Sequence, residues 1–155
     1  MADFFDRIVL LKGTPIFCEV ATDDLRVVLE EMLEEGYVKG ERVFEIRDPS
    51  DRMYVVLSGK IGISINPDPK VEDYVTVVDT GGCFGEMGPL DGAPRSGTAH
   101  VIEDSQLLYL DKLKLRGLIA NYPELAFGLL HGLSTRVRET SDKLLSARSG
   151  DAKRK

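Results

Sequence analysis

The sequence has no tryptophan, only two cysteines and two histidines, and no apolar run long enough to cross a bilayer. Each scarcity removes a class of function. The start, "MADFFDRIVLLKG", carries acids early and lacks a basic region followed by a small-residue cleavage site. No signal peptide is expected, no membrane is expected as a partner, and a cytoplasmic location follows. Cys18 and Cys83 lie far apart and in no C-x-x-C pair, so they are expected as small buried hydrophobes in a reducing compartment. His100, expected at a surface or half-buried strand position, and His131 on a helix lack a second histidine at metal-ligand spacing. No G-x-S-x-G elbow and no G-x-x-x-x-G-K-[ST] loop is present. General acid–base, metal and nucleophilic chemistry thus lack a placed set of groups, and an enzyme is not expected. A net charge of −6 argues against a broad electrostatic grip on nucleic acid.

What is present is orderly. "TDDLRVVLEEMLEE" (22–35) places Leu25, Val28, Leu29, Met32 and Leu33 on one helical face. Thr22 is its expected N-cap and Gly36 its stop, with Asp23 and Asp24 at the positive end. Four β-rich runs follow: "YVKGERVFEIRD", "RMYVVLSGKIGISIN", "DYVTVVDTGG" and "SQLLYLD". "DPSD" and "NPDPKVED" supply turn chemistry. Many short strands without long helices between them imply an antiparallel barrel or jelly roll. After Leu110 the helical period returns. Asp111 can cap a short helix holding Leu115, Leu118 and Ile119, and Pro123 suits the first turn of a longer one. Leu130, Leu133, Val137 and Leu144 fall near an a/d seam, with Thr140 at the remaining position. Packing on the chain's own barrel and pairing with a second chain both fit that seam. The last residues, "SARSGDAKRK", are expected to fade into disorder.

One stretch does not fit a plain turn. "CFGEMGPLDGAPRSGTAHV" (83–101) holds four glycines and two prolines around Glu86 and Arg95. Backbone N–H groups at a glycine-rich turn that opens a short helix form an anion site. Gly85 and Gly88 let a ligand approach the main chain. Arg95 can add two parallel charge-assisted hydrogen bonds to phosphate, and Ser96 a hydroxyl donor. Glu86 is an acceptor, wrong for phosphate but suited to a hydroxyl beside it, such as a ribose 2′-OH. From charges alone, the competing account is a Glu86–Arg95 surface ion pair of little consequence.

The wider pattern favours the ligand account. F-G-E followed by P-R-S-x-T resembles the phosphate-binding cassette of the cyclic nucleotide-binding domain family, through Phe84, Gly85, Glu86, Leu90, Gly92, Pro94, Arg95 and Thr98. The Glu-to-Arg separation is similar to that of the kinase regulatory subunits in the family. Upstream, Gly40, Asp48, Tyr54 and Gly59 stand where the family's strand–turn–strand signature has them, and the resemblance spans residues 8 to 145. It implies an α+β fold: an eight-stranded antiparallel β-roll (jelly roll) flanked by N-terminal and C-terminal helices. The expected organisation is one domain over 1–148, with helices at about 4–35, the roll at about 36–111, helices at about 112–148, and a disordered tail at 149–155. The resemblance implies that Glu86 accepts from the ribose 2′-OH and Arg95 pairs with the cyclic phosphate. It also implies that backbone N–H groups of Gly85 and Glu86 share that phosphate and that Ser96 donates to the ligand. Phe84, Met87 and Thr98 complete the expected cassette. "RVRETSDKL" resembles the adenine-facing helix of the bacterial catabolite-activator branch, which puts Thr140 and Ser141 at its base-contacting pair, the serine reaching across from a partner subunit. That implies a homodimer through the C-terminal helix.

The implied function is a cytoplasmic receptor of bacterial type for cAMP, or cGMP, with no cofactor and no metal. It would signal through its C-terminal helices to a separate effector protein, and DNA is not expected as a partner, because no helix-turn-helix follows the long helix. The competing function is the same fold used as a protein–protein scaffold with an empty or differently occupied pocket. Three departures from the family pattern stand out: Arg47 in place of the glycine before Asp48, Pro89 within the cassette helix, and Gly97 in place of alanine.

Overall fold

A computed structural model describes residues 3–154, with side-chain surroundings through residue 150. Helix α1 (Phe4–Lys12) starts on Asp3, whose carboxylate accepts from the Asp6 N–H at 2.8 Å while Asp6 reaches back to the Asp3 N–H. It buries Ile8 and Leu11. Helix α2 (Thr22–Glu31) buries Leu25, Val28 and Leu29, the face its spacing predicts. It ends four residues earlier than the expected stop at residue 35. Met32 turns extended, and Leu33–Tyr37 becomes strand β1, paired with Tyr109 through Ser105. The sheet offers these residues a full row of backbone partners, which the end of a helix does not. Gly36 is therefore a strand position, and a side chain there would collide with Gln106.

The remaining strands are β2 (Arg42–Phe44), β3 (Arg52–Ser64), β4 (Tyr74–Asp79), β5 (Cys83–Phe84) and β6 (Thr98–Asp111). Their order is β1-β6-β3-β4, with β2 also on β6 and β5 also on β3, and every pairing is antiparallel. The expected eight-stranded roll is thus built from six continuous strands. Strands β3 and β6 pair along their whole length, from Arg52↔Asp111 to Ser64↔Thr98, and the register shifts between Val56 and Ile61. Gly59, at φ 105°, sits at that shift, where a Cβ would fall 2.1 Å from the Ser105 hydroxyl. Each long strand is bent there and serves both halves of the roll. Thr98–Val101, the end of the glycine-rich insert, belongs to β6.

Two apolar clusters hold this together. One lies between the helices and the roll, around Phe17, Leu25, Leu110, Leu115 and Leu125. The other fills the roll, around Tyr54, Val56, Ile61, Phe84 and Leu107. Full burial of one such side chain is worth about 1.5–3 kcal/mol. Helix α4 (Lys112–Asn121) starts as expected on Asp111, which accepts from the Lys114 N–H at 2.8 Å. Helix α5 (Glu124–Arg154) follows Pro123. It seats Leu125 and Leu129 in the core, and Gly128 packs against the Ile16 carbonyl, where a Cβ would lie only 1.7 Å away. From Ser134 to Gly150 every residue is exposed. Leu130, Val137 and Leu144 of the a/d seam are uncovered, and Leu133 is half-buried. Contrary to the expected tail, the helix continues through 149–154, where no proline interrupts it; Lys155 lies outside the described residues. Among the described residues no helix is long and apolar enough to cross a membrane.

Two scarce residue types differ from expectation. Cys83 is buried but Cys18 is exposed, because it lies on the outer side of the turn that follows α1. His100 is buried, with its ring centroid 5.5 Å from that of Tyr74 and its Nε2 unpartnered among the described residues. Desolvation lowers its pKa below the ordinary value of 6.5. The folded state therefore resists a proton that the unfolded chain accepts, and stability falls as pH drops below about 6.5. His100→Gln should flatten the decline between about pH 7 and 5 in urea titrations; an unchanged decline would refute a contribution from this residue.

Candidate functional site

The insert's first glycine explains its neighbour. Gly85 has φ 77°, and a Cβ on it would stand 2.7 Å from Arg95 Nη1. Glycine is required both for the turn and for the approach of the guanidinium. Arg95 Nη1 donates to the Gly85 carbonyl at 2.9 Å, and Nη2 donates to the Arg52 carbonyl at 2.8 Å. The guanidinium carbon lies 3.9 Å from the Phe44 ring centroid, over an aromatic group that includes Tyr54 and Phe84, stacked at 5.1 Å. Arg95 is only 6% exposed, and burial lowers its pKa.

The backbone of Arg95 is fixed as firmly. Its N–H donates to the Asp48 carbonyl, and its carbonyl accepts from the Arg47 N–H, both at 2.8 Å. Residues 45–48 form a turn closed by Asp48 N–H to the Glu45 carbonyl at 3.0 Å. Arg47 occupies its third position at φ 74°, a left-handed conformation that favours glycine. The substitution at Arg47 thus keeps the turn rather than altering it, and the turn touches the cassette directly.

Helix α3 (Met87–Asp91) follows Glu86 and ends on Gly92. Pro89 is its third residue, where the N–H would have no helical partner, so the short helix forms despite it. Glu86 is 3% exposed. Its partner is not Arg95 but Arg136 of α5, whose Nη1 pairs with Glu86 Oε1 while Nη2 donates to the Cys83 carbonyl at 3.0 Å. A surface Glu86–Arg95 pair is therefore not what the insert builds. Beside this carboxylate, Cys83 is a buried thiol pushed up to about 12, by desolvation first and by Glu86 second.

These groups open into a cavity of about 530 Å³. One wall is the cassette, 84–88 with 93–97; a second is apolar, from Ile63, Val75 and Val78; a third is one face of α5, carrying Arg136, Glu139, Thr140 and Lys143. The structure thus brings together Phe84, Gly85, Glu86, Met87, Arg95, Ser96 and Thr140. Two expected site residues stand apart. Thr98 is fully buried, its hydroxyl accepting from the Ile46 N–H at 3.0 Å, because the strand turns it toward β2. Ser141 is exposed and off the lining, one residue beyond the face that carries Thr140. Arg136, Glu139 and Lys143 were not anticipated. The signal was their spacing from Thr140 at i−4, i−1 and i+3, which puts Arg136 and Lys143 on Thr140's face.

Two atoms in this cavity are buried and without a partner among the described residues: Glu86 Oε2, an acceptor, and Arg95 Nε, a donor. Their demands are opposite, and an anion next to a hydroxyl meets both.

Comparison with known proteins agrees. The family model described as "Cyclic nucleotide-binding domain" matches residues 34–122. The chain belongs to the cyclic nucleotide-binding domain family. It is 29% identical over 87% of its length to a CRP-like cAMP-activated global transcriptional regulator of Mycobacterium tuberculosis, covering 60% of that protein. It is 31% identical over 86% of its length to the cyclic AMP receptor protein of Thermus thermophilus, covering 62% of it. The chain thus spans about 60% of the length of these curated relatives. Among solved structures, the Thermus thermophilus catabolite activator protein superposes with a TM-score of 0.77 at 30% identity, over 84% of this chain and 61% of that one. Within this family the roll and its flanking helices are the expected fold, and the matched span includes the cassette.

Arg47→Gly should relieve a left-handed residue and raise stability by about 1 kcal/mol. Denaturant unfolding at constant m-value checks this; a loss of stability would mean that the arginine side chain holds the turn.

Proposed function

We propose that the protein is a cyclic-nucleotide receptor, not an enzyme, that binds cAMP in preference to cGMP. It passes the signal through α5 to a separate polypeptide. The observation that carries the reading is the pair of buried, unpartnered atoms of opposite demand in one cavity, Glu86 Oε2 and Arg95 Nε. A cyclic phosphate would take the Nε–H edge of Arg95, whose other edges are held by the Gly85 and Arg52 carbonyls. The ribose 2′-OH would donate to Glu86 Oε2, and the Ser96 hydroxyl would add a donor. The base would lie between the apolar wall of Ile63, Val75 and Val78 and the polar face of α5. There Thr140, both donor and acceptor, suits the adjacent N6 donor and N7 acceptor of adenine. Both histidines lie off the cavity lining, so the site would offer no imidazole to the phosphate.

Signalling follows from where α5 lies. The ligand's base would touch a helix that is otherwise exposed from Ser134 onward, so binding favours the arrangement with α5 over the pocket. The uncovered Phe127, Leu130, Val137 and Leu144 on that helix suit an apolar partner. A second copy of the chain is the simplest partner, and it would bring its own Ser141 toward the base. The cellular setting of this reading is the cytoplasm.

Calorimetry with cAMP and cGMP is the direct test. Arg95→Ala should cost about 1.5–3 kcal/mol, or roughly ten- to 150-fold in Kd. Wild-type protein that takes up neither nucleotide at millimolar concentration would refute the receptor. Thr140→Val should weaken cAMP more than cGMP, and equal losses would remove Thr140 from base recognition. Sedimentation with and without nucleotide reads the dimer.

A further inference from the structure

His100 is a buried titratable side chain that the cavity does not use. Its neighbours on β6, Ala99 and Val101, enter the core of the roll, so His100 points to the other side of the sheet. There it stands opposite Arg42 of β2 and Gly62 of β3. Its cover comes from the next strand. The Tyr74 ring of β4 lies in the notch that Gly62 leaves, where a Cβ would fall 2.7 Å from the ring atoms, and reaches the imidazole. Two charged groups face that imidazole: Arg42, itself paired with Glu45 at 3.2 Å, and Glu72 of the loop before β4. Arg42 opposes a proton on the ring and Glu72 favours one, but burial outweighs Glu72. An imidazolium donates from both nitrogens, and Nε2 has no acceptor among the described residues. The packed arrangement therefore suits the neutral ring.

Tyr74 is also where β4 begins to build the cavity. It pairs with Ser64 and Thr76 pairs with Ile63, which leaves Val75 as a bulge between them. Val75, Thr76 and Val78 all line the cavity. Strand β4 stands last in the sheet, held by β3 alone among the described residues, so the Tyr74 contact is its tie to a second strand. We propose that His100, Gly62 and Tyr74 form a proton-sensitive clasp on the start of β4, and that protonation of His100 frees this wall and weakens the hold on the nucleotide. The clasp stands on its own; its effect on affinity rests on the cyclic-nucleotide reading. The sign follows from linkage. Closed, the ring resists a proton; open, it titrates near its ordinary value of 6.5. The clasp is thus firm above about pH 6.5 and loses stability below it. By reciprocity, a ligand that needs the wall in place holds His100 neutral to lower pH.

Amide exchange in ligand-free protein tests the clasp. Protection over 65–76, relative to an unstructured chain at the same pH, should drop between about pH 7.5 and about pH 5.5 in wild type. It should hold steady in His100→Gln and in His100→Phe, which keeps an aromatic partner for Tyr74. In Tyr74→Ala it should be low already at the higher pH, and the His100 titration read by NMR should move up toward 6.5. Steady protection in wild type, or the same drop in both His100 variants, would overturn the clasp. Calorimetry with cAMP tests its link to the cavity. Over the same range wild type should bind severalfold more weakly, up to about tenfold, the limit for one site that titrates at 6.5 when open and is neutral when bound. Both His100 variants should flatten that loss. A loss that persists in them belongs to another group, Glu86 first, and would overturn the link. Wild type that binds no cyclic nucleotide at either pH would overturn the receptor reading and the link with it, while exchange still decides the clasp.

Discussion

The buried guanidinium of Arg95 is the constraint around which the roll is arranged. A cation at 6% exposure must replace its lost water with fixed partners, and here they come from three separate stretches of chain. The Gly85 and Arg52 carbonyls take two of its donors, and Phe44 offers a ring face. The 47–48 turn fixes the arginine's own backbone on both sides. No single stretch would suffice. The cassette glycine, the start of β3 and the β2–β3 turn are each placed by the same cation, which makes the cavity a property of the fold rather than of one loop.

The turn at 45–48 shows how firmly that constraint acts. An arginine at φ 74° is disfavoured by about 1–2 kcal/mol relative to a glycine in the same place. The backbone nevertheless keeps the conformation, because abandoning it would break the paired hydrogen bonds to Arg95. Strain of this kind persists where the surroundings over-determine it. Pro89 is accommodated by its position: a residue that would break a helix interior is harmless third in a helix, where the N–H has no internal partner.

Much of this was legible from residue types and spacing. Asp111 as a cap, the apolar face of α2 and the concentration of chemistry between 84 and 96 follow from local rules. What was not legible depends on long-range contacts. Whether residues 33–37 extend a helix or join a sheet is decided by Leu107–Tyr109 of β6, more than seventy residues away. The burial of His100 depends on the roll closing over it, and the turning of Thr98 toward Ile46 depends on the bulged pairing of β2 with β6. Arg136 was the most informative omission. Its partner Glu86 lies fifty residues upstream, and on the helix alone it is one arginine among several exposed charges.

Helix α5 can be considered as a rod. Its fixed point is Gly128, jammed against the Ile16 carbonyl with no room for even one more carbon. At 1.5 Å per residue, Arg136 lies about 12 Å from that fulcrum and Gly150 about 33 Å. Any shift imposed at Arg136 therefore grows almost threefold by Gly150, in a straight helix pivoting at Gly128. A movement of one ångström, no larger than the relaxation of an ion pair, becomes a displacement at the far end that a docked neighbour would register. The missing side chain at residue 128 gives the helix its leverage.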